Sequence, residues 1–266
     1  MRVIVTRPLQ EARQWVNALA DAGYQAVALP LIGVLPPEDP AAVVNVWGRL
    51  DSFDAVMFVS GNAVDHFFAL KPASAPPLAD AATGKVRVFV TGPGSLSALK
   101  RAQVDVRRID MPDRDGGQFD SEALWAVVAD QVHPGFRLLV VRGTGSHGLK
   151  GAASDGAGRD WFADQVRTAG GHVEFVVSYQ RRPPDMLPGQ QAVIHESAQD
   201  GSVWLFSSSE AIMNLVLACP GQDWSQAKAV VTHSRIAKAA RDAGFSVVCE
   251  SRPTLAALMA SIESIA

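Results

Sequence analysis

Apolar and polar positions along this chain repeat in one recurring unit. A short run rich in β-branched residues ends in small polar side chains, a helix-period pattern follows, and a glycine leads into the next strand. The first example is VIVTRP (Val3 to Pro8), after which Leu9, Ala12, Val16, Leu19 and Ala20 fall on one helical face. Pro8 suits the first helical turn, Gly23 stands where a C-terminal cap belongs, and Tyr24 to Leu29 reads as the next strand. The unit returns at AVMFVSGNAV (Ala55 to Val64), RVFVTGPGSLSAL (Arg87 to Leu99), RLLVVRGTG (Arg137 to Gly145), SVWLFSSSEAIMNL (Ser202 to Leu215) and AVVTHSRIAKAARDAGFSVV (Ala229 to Val248). Ala63, Val64, Phe67 and Phe68 keep helical spacing, and Asp120, Ser121 and Glu122 open a helix carrying Leu124, Val127 and Val128. Ser207 and Glu210, three apart, predict a capping box. Three helix ends resemble one another: DAGYQAV, TAGGHVEFV and DAGFSVV. Strands alternating with helices in this way predict an α/β fold of doubly wound, parallel sheets covered on both faces.

One stretch breaks the pattern. HVEFVVSYQRRPP (His172 to Pro184) begins as a strand through Val173, Phe175, Val176 and Val177, then runs into Tyr179, Arg181, Arg182 and two prolines. Consecutive prolines fix φ and remove amide donors, so a sheet stops there. LPLIGVLPPEDP (Leu29 to Pro40) has the same character. The two read as paired crossings between two domains, joined by a two-stranded linker. The predicted layout is a discontinuous domain from 1–35 with 182–266, an inserted domain over 38–178, and linkers near 35–40 and 177–184. A linear division near residue 180 would leave only about 85 residues after the break, which is small for a doubly wound sheet.

Composition narrows the class without naming it. The chain has 266 residues, 48% hydrophobic and 19% charged, with a formal net charge of −3. That charge gives no reason to expect nucleic-acid binding. No apolar run reaches the roughly 18 residues needed to span a bilayer, and MRVIVTRP has no signal-peptide core, so a cytoplasmic location is expected. Cys219 and Cys249 sit in separate apolar contexts and read as reduced and structural. The six histidines show no ligand spacing, so no metal is expected.

In open α/β sheets, ligands bind outside the carboxyl ends of the strands. The candidate loops are Thr6-Arg7-Pro8, Ser60-Gly61-Asn62, Thr91-Gly92-Pro93-Gly94-Ser95, Arg142-Gly143-Thr144, Ser207-Ser208-Ser209 and Thr232-His233-Ser234-Arg235. Each leads towards a helix start, where amide groups and the helix dipole favour anions. Arg7, Arg142 and Arg235 lie in them, joined by Arg181 and Arg182 at the crossing. Arginine concentrated in the loops of a mildly acidic chain suggests a ligand bearing carboxylates or phosphates. Taken singly, each loop is also what helix caps and solvated arginines look like; six together weaken that reading.

Other chemistries find little support. Gly143-Thr144-Gly145-Ser146-His147-Gly148 matches G-x-G-x-x-G, but the glycine-rich run that follows cannot open a helix on the third glycine, which argues against a dinucleotide cofactor. No G-x-S-x-G, G-x-x-x-x-G-K-[ST] or H-E-x-x-H is present. Asp and Glu are sparse in the loops, against paired-carboxylate catalysis. His233 is the one histidine in a candidate loop. Tyr179 is a proton donor at the crossing, readable also as a tyrosine that simply packs at a strand end.

With these stretches laid out, the chain resembles the uroporphyrinogen-III synthase family. The resemblance runs through VTRP, FVSGNAV, VTGPGS, LLVVRG, GRDWFADQVRTAGGHVEFVVSYQRRPP, WLFSSSEA and THSRIAKAARDAG. It differs from the family's RG-x-G-G-R element in that Ser146 to Ala157 stand between Arg142-Gly143 and Gly158-Arg159. The resemblance implies two α/β domains, one inserted in the other, and a monomeric, cofactor-free lyase that binds neither nucleic acid nor membrane. Its substrate would be the linear tetrapyrrole hydroxymethylbilane, cyclised to uroporphyrinogen III with inversion of the last ring and loss of water. It also places the tyrosine of the family's V-x-Y-x-R motif at Tyr179, as the group assisting departure of the hydroxyl. The rival from another class is a non-catalytic two-domain protein closing on a small anion; a two-domain glycosyltransferase fits less well, because its nucleotide domain would normally be contiguous.

Overall fold

β-branched and aromatic runs form strands wherever a sheet can bury them on both sides, and the chain repeats that solution twice. The computed structural model of the chain describes residues 1–75, 78, 86–113, 119–145 and 157–265. The glycine-rich run from Ser146 to Gly156, with the third glycine of G-x-G-x-x-G, lies outside the described residues. In chain order the elements begin with β1 (Arg2–Val5), α1 (Leu9–Asp21), β2 (Gln25–Ala28) and β3 (Gly33–Leu35). There follow α2 (Pro40–Trp47), β4 (Ala55–Phe58), α3 (Gly61–Ala69), β5 (Arg87–Val90), α4 (Pro93–Arg101), β6 (Ile109–Asp110) and α5 (Ser121–Val128). Then come β7 (Arg137–Thr144), α6 (Ala157–Thr168) and β8 (His172–Arg182). The remainder is α7 (Pro188–Ser197), β9 (Val203–Phe206), α8 (Ser209–Ala218), β10 (Lys228–Val231), α9 (Ser234–Asp242), β11 (Val247–Glu250) and α10 (Leu255–Ser264).

The chain divides into two compact units, one formed by Met1–Gly33 and everything from Arg182 onward, the other by Val34–Arg181. The crossings fall in β3 and β8, which are neighbours in one sheet. A Cβ on Gly33 would lie 3.3 Å from the carbonyl oxygen of Arg182, so the two chain segments run close together there. β8 carries on through Tyr179 and both arginines and stops before Pro183, where the amide donors end.

The discontinuous unit has a five-stranded sheet in the order β11-β10-β9-β1-β2, with parallel pairs throughout. Ile4, Trp204 and Phe206 pack on one face with Ile212 and Leu215, while Val3, Val5, Val203 and Leu205 pack on the other with Leu19 and Ile262. The buried amide of Asn214 in α8 donates to the Leu31 carbonyl at 2.8 Å, tying down the segment that precedes β3. The inserted unit has the order β3-β8-β7-β4-β5-β6. Val56, Phe58, Val88 and Val141 face Val43, Val64 and Phe67, and Met57, Phe89, Leu138 and Val140 face Leu124, Phe162 and Val166. Both sheets are therefore buried on both sides, as parallel sheets require.

The three similar helix ends close in the same way: Gly23, Gly170 and Gly244 take φ of +88°, +83° and +100°, the left-handed turn that releases a helix into a strand. Several local expectations shift. Ser208 rather than Ser207 caps α8, accepting from the Glu210 amide, so the predicted capping box does not form. α1 starts at Leu9 with Pro8 as its cap residue, and Leu9 and Ala20 are exposed, the buried face being Ala12 and Leu19. α2, α7 and α10 are short helices that the recurring pattern did not single out. Among the described residues no helix is long and apolar enough to cross a membrane.

On β8, Glu174 accepts from Arg49 Nη1 at 2.9 Å, and this hydrogen bond holds its carboxyl below the ordinary value of 4.5. Because the folded pKa is depressed, the pair's contribution is complete above that ordinary value and is lost as pH falls through the folded one. Both side chains are about two-fifths exposed, so the pair is worth at most about 1 kcal/mol. Denaturation of Glu174→Gln beside the parent should show that small loss at neutral pH and no difference in acid.

Candidate functional site

Each sheet reverses its winding at one place. In the discontinuous unit the order runs outward from β1 to β2 on one side and from β9 to β11 on the other, so the switch lies between β1 and β9. In the inserted unit it lies between β4 and β7. Loops leaving strands at such a switch diverge to opposite faces and leave a crevice that ligands use. The residues concerned are Thr6, Arg7 and Ser207 in one unit, Ser60 and Gly143 in the other.

At the inserted unit's switch, β7 and β8 pair in parallel from Arg137 opposite His172 to Arg142 opposite Val177, and then Gly143 lies opposite Tyr179. Ser178 is one residue too many. Side chains alternate along a strand, so in unbroken register Tyr179 would share the face of Val173 and Phe175, beside Phe162. The bulge turns it to the face of Val176, into the cluster of Val56, Phe58 and Phe67. Ser178 is itself satisfied, its hydroxyl donating to the Ala63 carbonyl of α3 at 3.1 Å.

Tyr179 is only 4% exposed. Its hydroxyl lies 3.1 Å from Ser60 Oγ, and Ser60 in turn caps α3 by accepting from the Ala63 amide at 3.1 Å. The phenol ring stacks against His66 on α3, with centroids 5.8 Å apart and planes inclined by 24°. Burial pushes the His66 imidazole below its ordinary range, with Asp65 partly opposing, so the ring is neutral at neutral pH. Where the ring passes β7 there is space only because position 143 has no side chain. A Cβ there would meet Tyr179 Cζ at 2.4 Å and both Cε atoms within 2.7 Å.

The predicted residues divide into those brought to Tyr179 and those used elsewhere. Ser60 and Gly143 touch it. Arg142 belongs to β7 rather than to a loop, and its guanidinium stacks 4.4 Å from the Phe175 ring centroid on the other face. A Cβ at Gly145 would lie 3.8 Å from Arg181 Nη2, which puts Arg181 at the same strand ends. Asn62 is half-buried in the first turn of α3. The start of α4 comes alongside, with the Gly94 carbonyl 3.2 Å from a Cβ built on Gly61. Thr91 and Gly92 precede α4 there, Gly92 as its cap residue, and Ser95 is buried within the helix.

In the discontinuous unit Thr6 is also turned inward, its hydroxyl donating to the Leu205 carbonyl at 2.7 Å. Arg7 is held by Glu11 at 2.8 Å and lies over Trp15, 3.9 Å from the ring centroid. Together with Ser207 and Thr232 it borders a shallow notch at the strand ends. Ser208 and Ser209 begin α8 beside it. His233 caps its own helix, the Arg235 amide donating to Nδ1 at 3.0 Å, which makes its ring structural there; Ser234 and Arg235 are exposed at that helix start. His66 is the neighbour that loop-based reading missed. The available signal was helical phase, since residues 60, 63 and 66 lie three apart on one ridge of α3.

The close approach at Gly143 makes a sharp comparison. Gly143→Ala forces the phenol or the strand to move and should cost about 1–3 kcal/mol in a denaturation experiment. Gly145→Ala, two residues on and with no neighbour nearer than 3.8 Å among the described residues, should stay within about 0.5 kcal/mol of the parent.

Comparison with known proteins bears on what this arrangement serves. The family model described as uroporphyrinogen-III synthase HemD matches residues 13–260. A uroporphyrinogen-III synthase of Proteus mirabilis is 27% identical over 199 residues, spanning 75% of this chain and 89% of that protein. Among solved structures, the uroporphyrinogen-III synthetase of Helicobacter pylori superposes with a TM-score of 0.59 at 13% identity, covering 100% of both chains. A mutant uroporphyrinogen III synthase of Thermus thermophilus gives 0.54 at 13% identity, covering 100% of this chain and 98% of that one. The structures share the fold, and the sequence match over nearly the whole length shows that this chain belongs to the uroporphyrinogen-III synthase family.

Proposed function

We propose that this chain performs its family's reaction, cyclising hydroxymethylbilane to uroporphyrinogen III with inversion of the last pyrrole ring and loss of water. The family match over residues 13–260 is the observation that carries this reading. The step is a lyase reaction that needs no cofactor. Departure of the terminal hydroxyl, as water, leaves a reactive azafulvene that closes unaided to the uninverted ring. The protein must bring the substituted carbon of the last ring to the exocyclic carbon, giving a spiro intermediate that fragments and closes the other way. Restraint of a flexible chain, exclusion of water and stabilisation of charge on the pyrroles are what such a task requires.

Tyr179 is the group that assists the hydroxyl. Ser60 Oγ accepts from the Ala63 amide, so its own proton is free to turn to the Tyr179 oxygen 3.1 Å away. The phenolic proton is then directed outward, to the departing oxygen, and Ser60 supports the negative charge left behind. Burial strengthens such a hydrogen bond by keeping water from competing. The acetate and propionate carboxylates are held by Arg7, Arg142, Arg181 and Arg235 and by the helix starts after Ser60, Gly92, Ser208 and His233.

The test is to supply hydroxymethylbilane, oxidise the products and separate the porphyrin isomers by chromatography. Type III should predominate; type I alone, at the rate seen without protein, would sink the reading. Tyr179→Phe should lower kcat by about 10²-fold while type III persists, since restraint remains. An unaltered rate and isomer ratio would remove the phenol from the mechanism.

A further inference from the structure

We infer that His66 is a positioning residue for this reaction: its ring, stacked on Tyr179, sets the plane of the phenol and so the direction in which the hydroxyl points. The inference rests on the role given to Tyr179 above. Beside its apolar packing, that phenol meets Gly143, Ser60 and His66, and they do different things. Gly143 admits the ring by having no side chain, but an absent group holds nothing in place. Ser60 holds the oxygen, yet a single hydrogen bond at the tip leaves the ring free to pivot about it. The His66 ring, inclined by only 24° to the phenol, adds a flat contact against that pivot to the apolar packing of Val56, Phe58 and Phe67.

The helix is built to deliver it. Ser60, Ala63 and His66 follow one another at intervals of three along α3. They meet the bulged end of β8 in turn, through the Tyr179 hydroxyl, the Ser178 hydroxyl and the phenol face. Asp65, the charged neighbour of His66, is engaged by Arg101 of α4 at 3.0 Å through both carboxylate oxygens. The Asp65 carboxylate is thus turned to Arg101, and the imidazole presents its flat face to Tyr179. A misplacement of the phenol oxygen by about 1 Å costs up to about 10²-fold in rate.

The experiment is a double-mutant cycle with a spectroscopic companion. His66→Ala should lower kcat about tenfold with KM within about twofold, and His66→Phe, which keeps an aromatic face, should recover most of the loss. On a Tyr179→Phe background, His66→Ala should add less than about twofold, because the hydroxyl it aims is already gone. The chain has two tyrosines, Tyr24 and Tyr179, so 3-fluorotyrosine labelling gives two fluorine resonances. His66→Ala should move that of Tyr179 and leave that of Tyr24 in place. If His66→Ala does not fold, His66→Gln, similar in size without an aromatic face, serves in its stead. Full additivity in the cycle, an unmoved Tyr179 resonance, or no rescue by phenylalanine overturns the inference. A Tyr179→Phe enzyme as fast as the parent instead removes the phenol from the mechanism, and this inference with it.

Discussion

A single extra residue in β8 governs the inserted unit's site. Strand side chains alternate, so the face on which Tyr179 appears is decided by counting, and Ser178 changes the count by one. Everything near the phenol answers to that change. Position 143 must lack a side chain, the cap of α3 must be a hydroxyl within reach of the phenol, and the next turn of α3 must carry a flat ring. The bulge sits beside the strand where the sheet changes its direction of winding, so topology supplies the crevice and register supplies the side chain.

The arginines follow a second rule. Arg7 lies on Trp15 with Glu11 at its edge, and Arg142 lies on Phe175. An aromatic face orients a guanidinium without neutralising it and leaves its edge donors largely available. A carboxylate within a closed ion pair would have consumed those donors. At Arg7 the Glu11 carboxylate takes one of those donors, while Arg142 is oriented by its ring contact.

Much of the fold was legible in the sequence because both sheets are buried on both sides. Runs such as VIV, AVMF, RVFV and VWLF have no other stable use, and DAG or TAG before a strand marks a helix released through a left-handed glycine. The end of β8 was readable from Pro183 and Pro184, which follow it directly. What could not be read is set by choices the residues leave open. Three consecutive serines can each cap α8, and packing selects Ser208. A threonine or serine at a strand end can face solvent or turn inward to a carbonyl; Thr6 turns inward, and Ser95 is buried by the packing of α4. A bulge has no residue signature, so Tyr179 was identifiable as a tyrosine near a strand end while its face, its debt to Gly143 and its stack on a helical histidine were not.

The discontinuous unit also carries a cost in time. β1 pairs with β2 over residues close in sequence, but its other edge is completed by β9, with Val3 opposite Val203. As the chain emerges from its N-terminus, the inserted unit, contiguous and ending at Arg181, has all its strands while β1 still waits with one edge open. An unpaired parallel edge is a template for wrong partners, and closing a loop of that length is slow. β1, made before the inserted unit, is therefore among the last strands to be secured.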